Sequence, residues 1–391
     1  MHVDVWNKKN ACCGCTACSN VCPKHCIEMV EDNEGFVYPK VDEQKCIDCG
    51  LCLKTCPLAQ TEYHIPANHF DEPLTFAAKH KSVDVRKKST SGGIFTAVSD
   101  FVLEHGGVVC GAAFNAINQR VEHIICETKE ERDRLRGSKY VQSYMGDTFA
   151  RIKSILTANT VVLFTGTPCQ CAGLVAYLKK DYPNLYVVDI LCHSVPSPLI
   201  LRDVLKKYGE NASKIAFRNK ALGWRNSYEF SLHYDDKKYI DTGYLTLFFK
   251  GLTCRPSCHD CHFTNMRRPS DITIGDYWNI KQVDATFEDA LGVSSTFVNT
   301  EKGRSLFEQI KDAVEAKQTE PQYAMQACTM RKNPMPRMRS TFWKDYHDKG
   351  FDYVYNKHGH YTAWETFRDR TLAPLARKMK IAQLVRKIVR R

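Results

Sequence analysis

The chain has 391 residues, 43% of them hydrophobic and 25% charged, which is the composition of a soluble globular protein of two or three domains. It contains no apolar run long enough to cross a membrane and starts without the pattern of a secretory signal, so we expect a cytoplasmic protein. The formal net charge of +11 is partly local, because seven Lys or Arg and no acid lie in residues 372–391. Together with the lack of a base-reading motif, this argues against a nucleic-acid partner.

Nineteen cysteines are far more than an ordinary cytoplasmic protein carries, and their short spacings indicate metal ligands rather than disulfides. Two runs near the start share the spacing C-x2-C-x2-C-x3-C-P, 34 positions apart. These eight cysteines are Cys12, Cys15, Cys18 and Cys22 in the first run, and Cys46, Cys49, Cys52 and Cys56 in the second. The spacing is typical of bacterial two-cluster ferredoxins, in which the fourth cysteine of each run ligates the other cluster.

We therefore predict an α+β ferredoxin-like module with two [4Fe–4S] clusters over residues 1–60. The expected ligand sets are Cys12, Cys15, Cys18 and Cys56 for one cluster, and Cys46, Cys49, Cys52 and Cys22 for the other. Between the runs, residues 32–35 read as the turn of a β-hairpin. Cys13 and Cys26 are left over and are expected to pack as small buried side chains.

Residues 61–73, rich in His, Pro, Asn and acids, are expected to link this module to a larger body. Strands are predicted at 74–78, 108–114, 121–126, 161–164 and 185–190, with helices at 94–104 and 172–178. Strands that alternate with helices indicate an α/β body with a largely parallel sheet. We predict domains at 74–155 and 156–330, followed by a basic helical tail over 331–391.

Two turns of this body are candidate binding elements. The turn Ser89-Thr90-Ser91-Gly92-Gly93 precedes a helix and exposes backbone N–H groups, which suits a phosphate or pyrophosphate as well as an ordinary N-cap. Cys169 and Cys192 fall at the carboxyl ends of strands, where the sites of such sheets gather. Cys169 could be a nucleophile of low pKa, a cluster ligand or a buried packing residue, and Cys192 is a candidate ligand. The remaining cysteines of the body, Cys110, Cys126, Cys171 and Cys328, are expected to pack.

A third cysteine group, Cys254, Cys258 and Cys261, could hold three irons of a further [4Fe–4S] cluster, with Cys192 or Cys169 as the fourth ligand. Zinc is a rival because His259 and His262 lie in the same loop. The spacing also matches the radical S-adenosylmethionine signature. That motif normally follows the first strand of a barrel, with most of the catalytic domain after it, whereas only 130 residues follow Cys261.

The order of these motifs resembles the coenzyme F420 hydrogenase/dehydrogenase beta-subunit family over residues 1–330. The resemblance rests on the two-cluster module, Ser89-Thr90-Ser91-Gly92-Gly93, Gly166-Thr167-Pro168-Cys169-Gln170, Cys192-His193-Ser194, the third cysteine group and residues 270–278. It implies an FAD against the α/β body, beside the additional cluster. The flavin-site candidates that it implies are Ser89, Thr90, Ser91, Gly92, Gly93, Lys139, Gly166, Thr167, Pro168 and Gln170. Lys139 would place a cation near flavin or phosphate, unless it is an ordinary solvated lysine. Asp276 and Trp278 either line the site or form a core turn.

We therefore expect a flavin- and iron–sulfur-dependent oxidoreductase, in which clusters carry single electrons and FAD exchanges a hydride with a small-molecule donor or acceptor. Ferredoxin or another one-electron protein is the expected redox partner. The alternative is a non-catalytic electron-transfer subunit of a larger complex, with a radical S-adenosylmethionine enzyme as a third possibility. Residues 372–391 form a basic amphipathic pattern that suits an anionic membrane surface, an acidic partner or a packed terminal helix.

Overall fold

The computed structural model describes residues 2–3, 8–60, 63–66, 68–362 and 365. The strands are β1 (Ile27–Glu31), β2 (Val37–Val41), β3 (His69–His80), β4 (Val108–Asn115), β5 (Arg120–Cys126), β6 (Val162–Gly166), β7 (Leu185–Ile190), β8 (Lys214–Ala216), β9 (Phe230–Tyr234), β10 (Lys237–Asp241), β11 (Ile272–Asp276), β12 (Ser294–Thr300) and β13 (Val314–Gln318).

The α-helices are α1 (Ala17–Val21), α2 (Leu51–Thr55), α3 (Val83–Lys87), α4 (Ile94–Glu104), α5 (Lys129–Asp133), α6 (Thr148–Thr157), α7 (Pro168–Leu178), α8 (Pro198–Tyr208), α9 (Gly243–Phe249), α10 (Ile280–Val283), α11 (Glu301–Gln309), α12 (Pro321–Ala324), α13 (Ala327–Met330), α14 (Arg339–Lys349) and α15 (Phe351–His358). Within the described residues, no helix is both long and apolar enough to span a bilayer. The predicted amphipathic helix at 372–391 lies outside the described residues.

The first sixty residues fold as two similar halves. In each half a residue with positive φ, Thr16 or Gly50, precedes a short helix, α1 or α2. The third cysteine of each run lies in that helix and the fourth caps its end. Strands β1 and β2 pair as the predicted antiparallel hairpin, with Ile27 opposite Val41. The side chains of Phe36 and Tyr38 fill the centre of this module.

The body is built on one sheet of eight strands in the order β13-β3-β12-β11-β7-β6-β4-β5. Four adjacent strands, β11, β7, β6 and β4, are parallel, and all other neighbouring pairs are antiparallel. The expected parallel sheet is therefore restricted to these four strands. At one edge the reason is the connection of only four residues between β4 and β5, because a short loop can join only antiparallel neighbours.

Strand β3 begins at His69, so the last five residues of the predicted linker belong to the sheet. Their polar composition suggested a loop, but His69 pairs with Thr300 and Leu74 pairs with Val298. Tertiary pairing overrides local strand propensity at this edge of the sheet. Helix α4 has the predicted bounds, whereas α7 starts at Pro168, four residues before its predicted start.

Three of the four apolar clusters in the described part of the body are large. Helices α4 and α11 pack one face of the sheet, and α6 and α7 pack the other, where Cys15 and Ala17 of the ferredoxin module join the same cluster. A third cluster unites α8, α9 and the small sheet β10-β9-β8 with α14 and α15. Because Phe342 and Val354 are fully buried there, residues 339–358 are part of the folded body.

Candidate iron–sulfur and flavin sites

The four thiols expected to hold the second ferredoxin cluster surround one cavity. Its volume is about 350 Å³, and its lining includes Cys22, Cys46, Cys49 and Cys52. Cys26 lines the same cavity, with its Sγ 3.3 Å from that of Cys22. Cys49 and the neighbouring Ile47 are exposed, so this site lies at the surface of the molecule.

The thiols expected to hold the first cluster also lie together, on the side of the module that faces the body. Burial, and then the proximity of Cys12 and Cys56, raise the pKa of Cys18. Burial raises the pKa of Cys56 too, with a further contribution from Cys12. Such thiols stay protonated unless a cation replaces their protons, as an iron–sulfur cluster does. The backbone N–H groups of Gly14 and Val3 point at the sulfurs of Cys12 and Cys52, each at 3.4 Å, a contact that suits a cluster thiolate.

Another cavity, of about 730 Å³ with its open mouth, lies where the ferredoxin module meets the body. It is called the third cavity because it is the candidate site of the third cluster. Four of its lining thiols come from three separate segments of the body and are Cys169, Cys192, Cys258 and Cys261. Cys169 is in the first turn of α7, Cys192 follows β7, and the other two lie in and just after the 3-10 turn Pro256–Asp260. The loops after β6 and β7 meet because these parallel strands end at one edge of the sheet.

The structure does not bring Cys254 to this cavity. Cys254 forms a β-bridge with Pro196, and its Sγ lies 3.8 Å from the carbonyl oxygen of Phe248. Its side chain is fully buried on that side of the backbone. Close spacing in the sequence therefore groups Cys254 with Cys258 and Cys261, but the three thiols do not line one site.

Two other cysteines that were expected only to pack do line the third cavity. Cys13 belongs to the ferredoxin module, and its thiol is hydrogen-bonded to Cys169, a contact that is the first cause of the raised pKa of Cys169. Cys328 also lines the cavity, with its Sγ 3.8 Å from Nε2 of His193. The adjacency of Cys13 to Cys12 is the signal that could have identified it, whereas Cys328 has no neighbouring motif.

The electrostatics of the third cavity combine buried thiols with two buried guanidinium groups. Burial raises the pKa of Cys192, and it raises the pKa of Cys258 to about 12. Arg255 and Arg268 line the cavity and are 0% and 2% exposed. Arg268 donates to the carboxylate of Asp189 at 3.0 and 2.7 Å. Four thiolates beside the buried guanidinium of Arg255 fit the ligand set of a [4Fe–4S] cluster.

The zinc alternative has partial geometric support. His262 lines the third cavity beside the cysteines. His259 is buried and turns its Nδ1 towards the carbonyl oxygen of Asn333 at 3.3 Å. Only one of the two histidines therefore faces the thiols, which leaves the cysteine quartet as the dominant donor set.

The flavin-site candidates lie at the same carboxyl edge of the sheet as the third cavity. The backbone N–H of Gly92 donates to Ser294 Oγ at the start of β12, and Ser138 N–H donates to Thr90 Oγ1, both at 2.9 Å. Ser89 and Ser91 donate their hydroxyls to the carbonyl oxygens of Val85 and Val293. Because these hydroxyls already form hydrogen bonds within the protein, residues 89–93 would bind a ligand through their backbone.

Lys139 is also engaged internally. Its Nζ donates to the carbonyl oxygens of residues 134, 135 and 136 at 3.1, 2.7 and 2.8 Å, just after α5. Burial lowers the pKa of Lys139 to about 7. The side chain of Lys139 therefore caps the C-terminal end of α5. It would act on a ligand through long-range electrostatics and not through a hydrogen bond.

The second flavin-site segment forms the start of α7. Thr167 and Gln170 make a reciprocal capping box, Pro168 occupies the first helical turn, and Gly166 ends β6. Gln170 donates through Nε2 to Ser143 Oγ at 2.9 Å, and Ser143 Oγ lies 3.0 Å from Nδ1 of His123. This buried network joins the 137–143 loop to the turn that carries Cys169.

An aromatic group borders this edge on the side of β11. The indoles of Trp224 and Trp278 are stacked with centroids 4.8 Å apart, and Trp224 Nε1 donates to Asp276 at 2.7 Å. Arg218 also donates to Asp276, at 2.6 Å, and its guanidinium lies over the half-exposed ring of Tyr228. Asp276 and Trp278 thus belong to a cluster that could receive a planar ring, although Asp276 itself has two internal partners.

Comparison with known proteins assigns the chain a class and a family. Residues 11–59 match a 4Fe-4S dicluster domain, so the protein is an iron–sulfur redox protein. Residues 75–148 match the N-terminal model, and residues 160–322 the C-terminal model, of coenzyme F420 hydrogenase/dehydrogenase beta subunits. The chain belongs to this beta-subunit family.

Individual relatives cover different shares of the chain. It is 23% identical to a subunit of F(420)H(2) dehydrogenase from Methanosarcina mazei over 328 residues, covering 78% of this chain and 84% of that one. It is 38% identical to a subunit of NADH-quinone oxidoreductase from Pelobacter propionicus over 58 residues, which are 12% of this chain and 31% of that one. In a solved structure of the F420-reducing [NiFe] hydrogenase complex from Methanosarcina barkeri, one chain aligns with a TM-score of 0.47 and 17% identity, over 73% of this chain and 92% of that one.

Proposed function

We propose that this chain is a flavin- and iron–sulfur-dependent oxidoreductase in which three [4Fe–4S] clusters pass single electrons to or from an FAD. The observation that carries the proposal is the convergence of Cys169, Cys192, Cys258 and Cys261 on one cavity. Four thiols from three distant segments have no packing reason to meet at an open cavity. A cluster there would lie between the ferredoxin module and the flavin-site loops.

The arrangement of the cysteine sets supports a linear path. The second ferredoxin cluster site, which includes the exposed Cys49, is suited to exchange electrons with a protein partner. The first ferredoxin cluster site, which includes Cys12, faces the body. Cys13 follows Cys12 directly and lines the third cavity, so these two cluster sites are close neighbours. The path would therefore run from the surface through the module and the third cluster to the carboxyl edge of the sheet.

The flavin is proposed at that edge, against residues 89–93, 137–143 and 166–170. Bound there, FAD would exchange a hydride with a small molecule and electrons one at a time with the clusters. The backbone of residues 89–93 and the N-terminus of α7 would bind its phosphates, and the Trp278 and Tyr228 group would border its ring system. Lys139 would add positive potential from its place at the end of α5.

A protein redox partner and a cytoplasmic location complete the proposal. Because the Methanosarcina mazei relative is named as part of a dehydrogenase, a larger complex is the natural setting. A subunit that only carries electrons is the second candidate, favoured by the internal engagement of Ser89, Ser91 and Lys139. The geometry does not favour a radical S-adenosylmethionine enzyme, since the Cys254 thiol turns away from the other two.

The test is the composition of anaerobically purified chain: iron, sulfide, zinc and flavin, with absorption and electron paramagnetic resonance spectra before and after reduction. About twelve irons and one FAD are expected. About eight irons without flavin, from protein shown to retain its cofactors during purification, would leave the electron-carrier alternative. Zinc in the sample would reassign the third cavity.

A further inference from the structure

We propose that Arg255 supplies the positive charge that balances the ferredoxin cluster held by Cys12, and that it thereby raises the reduction potential of this cluster. Arg255 is a positioning residue in this proposal, since it acts on the cluster through a ligand and its loop. The inference rests on the proposed cluster at Cys12, Cys15, Cys18 and Cys56, and it extends to the third cavity, which Arg255 also lines.

The guanidinium of Arg255 reaches from the body into the ligand loop of the ferredoxin module. Its Nε donates to the carbonyl oxygen of Cys12 at 2.8 Å, across 243 positions of sequence, and Nη2 lies 3.6 Å from the Sγ of the same residue. Nη2 also donates to the carbonyl oxygen of Val37 at 3.0 Å, and Nη1 to Oε1 of Gln142 at 2.8 Å. The side chain is therefore held by both parts of the molecule.

Arg255 has no carboxylate partner among the described residues, since all its acceptors are two carbonyl oxygens, one amide oxygen and one sulfur. Other buried arginines of this chain do have one: Arg268 pairs with Asp189, and Arg339 pairs with Glu34. A fully buried charge without a counter-charge is strongly unfavourable. The contrast indicates that the counter-charge of Arg255 comes from a group that binds beside it.

The groups near Arg255 that can become negative are the phenol of Tyr38 and the thiols of Cys12, Cys13 and Cys258. Burial raises the pKa of Tyr38, so its phenol stays neutral. The counter-charge therefore comes from the thiols once they bind a cluster. A [4Fe–4S] cluster with four thiolates carries about two negative charges when oxidised and one more when reduced. A fixed cation next to a ligand stabilises the reduced form more than the oxidised form, so it raises the potential. Burial of the guanidinium against the ring of Tyr38, at 4.3 Å, keeps water from screening this interaction.

The functional consequence is directional. Burial by itself lowers the potential of the cluster beside Arg255, because less water stabilises the added negative charge of the reduced form, whereas Cys49 and Ile47 leave the other cluster exposed to solvent. The charge of Arg255 would offset this effect of burial. It would thereby make the transfer of electrons from the surface cluster to the cluster next to the third cavity more favourable.

The experiment compares Arg255→Gln, Arg255→Lys and the control Lys9→Gln in the full chain, loaded with clusters under anaerobic conditions. Lys9 also carries a positive charge near Tyr38, but it is paired with Asp32 and partly exposed. Redox titration followed by electron paramagnetic resonance measures each cluster. Arg255→Gln should make reduction of one cluster at least tenfold less favourable, a shift of about 59 mV for one electron, with Lys9→Gln nearly unchanged. Arg255→Lys should fall between Arg255→Gln and the unaltered protein.

Iron content separates this proposal from the proposed function. An unaltered protein with only eight irons removes the third cluster but leaves the Arg255 test intact, because the cluster at Cys12 is still present. Unchanged potentials in Arg255→Gln with its iron retained would overturn the charge-balance proposal. If Arg255→Gln does not fold, the proposal is tested by pulsed electron paramagnetic resonance of the unaltered protein labelled with 15N-arginine. A 15N coupling to the reduced cluster at Cys12 supports the contact, and no coupling overturns it.

Discussion

Helix α7 touches the ferredoxin ligand loop directly, because a Cβ placed on Gly173 would lie 2.9 Å from both the Cβ and the Sγ of Cys15. Real Cβ atoms do not approach other atoms so closely, so the helix and the loop could not keep this distance with any larger residue. The same helix carries Cys169 in its first turn. Gly173, which has no side chain, therefore sets the distance between the cluster site with Cys15 and the cluster site with Cys169.

We expect Gly173→Val to push the module away from the body. The expected loss is about 1–3 kcal/mol of stability from overpacking, together with slower electron transfer from the module clusters to the body. Stopped-flow reduction of the flavin by a protein donor measures the transfer. Ser154→Val, at an exposed position of α6, is the matched control and should leave the rate unchanged. An unaltered rate in Gly173→Val would show that this contact does not set the distance between the clusters.

The composition of the third ligand set predicts which cysteines the third cluster requires. Cys192→Ser and Cys258→Ser should lower the iron content from about twelve to about eight per chain, because each removes a thiol from the cavity. Cys254→Ser should keep about twelve irons, since its thiol faces Phe248. Iron and sulfide assays of the three variants, with electron paramagnetic resonance spectra of the reduced proteins, test this prediction. Equal iron loss in all three variants would return Cys254 to the ligand set.

The buried pair of Arg268 and Asp189 predicts a large stability effect beside the third cavity. Asp189→Asn should destabilise the body by about 3–5 kcal/mol, because it leaves a guanidinium that is 2% exposed without its counter-charge. Asp348→Asn removes half of an exposed helical pair with Lys344 and should change stability by about 0.5 kcal/mol or less. Urea unfolding followed by tryptophan fluorescence compares the two. Similar small effects would mean that water reaches Arg268.

A buried histidine predicts a pH dependence of stability. Burial lowers the pKa of His123 from about 6.5 to about 4, so between these values the unfolded chain binds a proton that the folded chain does not. This contribution to stability should therefore fall as the pH decreases from 6.5 towards 4, by roughly 3.5 kcal/mol in total at about 1.4 kcal/mol per pH unit.

The measurement is the unfolding free energy between pH 6.5 and 5. His123→Gln keeps a donor and an acceptor near Ser143 but has no proton to gain. The unfolding free energy of His123→Gln should vary less with pH than that of the unaltered protein. The difference between the two slopes should correspond to the uptake of close to one proton on unfolding. Parallel curves for the two proteins would contradict a neutral buried His123.

Much of the ferredoxin module could be predicted, because its ligands lie in short loops. The spacing of cysteines in such a loop limits which thiols can reach the irons of one cluster. The carboxyl-edge positions of Cys169 and Cys192 could also be predicted from the strand pattern. The orientation of Cys254 could not, since a bridge to Pro196 turns its thiol, and that pairing is not local. Arg255 was missed for a similar reason: its partners Cys12 and Val37 are more than two hundred positions away.

Strand β3 lies in the sheet between β12 and β13, and this pairing has a consequence for how the protein is assembled during translation. All eight expected ligands of the module have been synthesised by residue 56, whereas the eight-stranded sheet cannot close until residue 318 has left the ribosome. Domains made first generally fold first. The module can therefore receive its iron while the body is still a nascent chain, but the lining of the third cavity is incomplete until Asn333 has been synthesised.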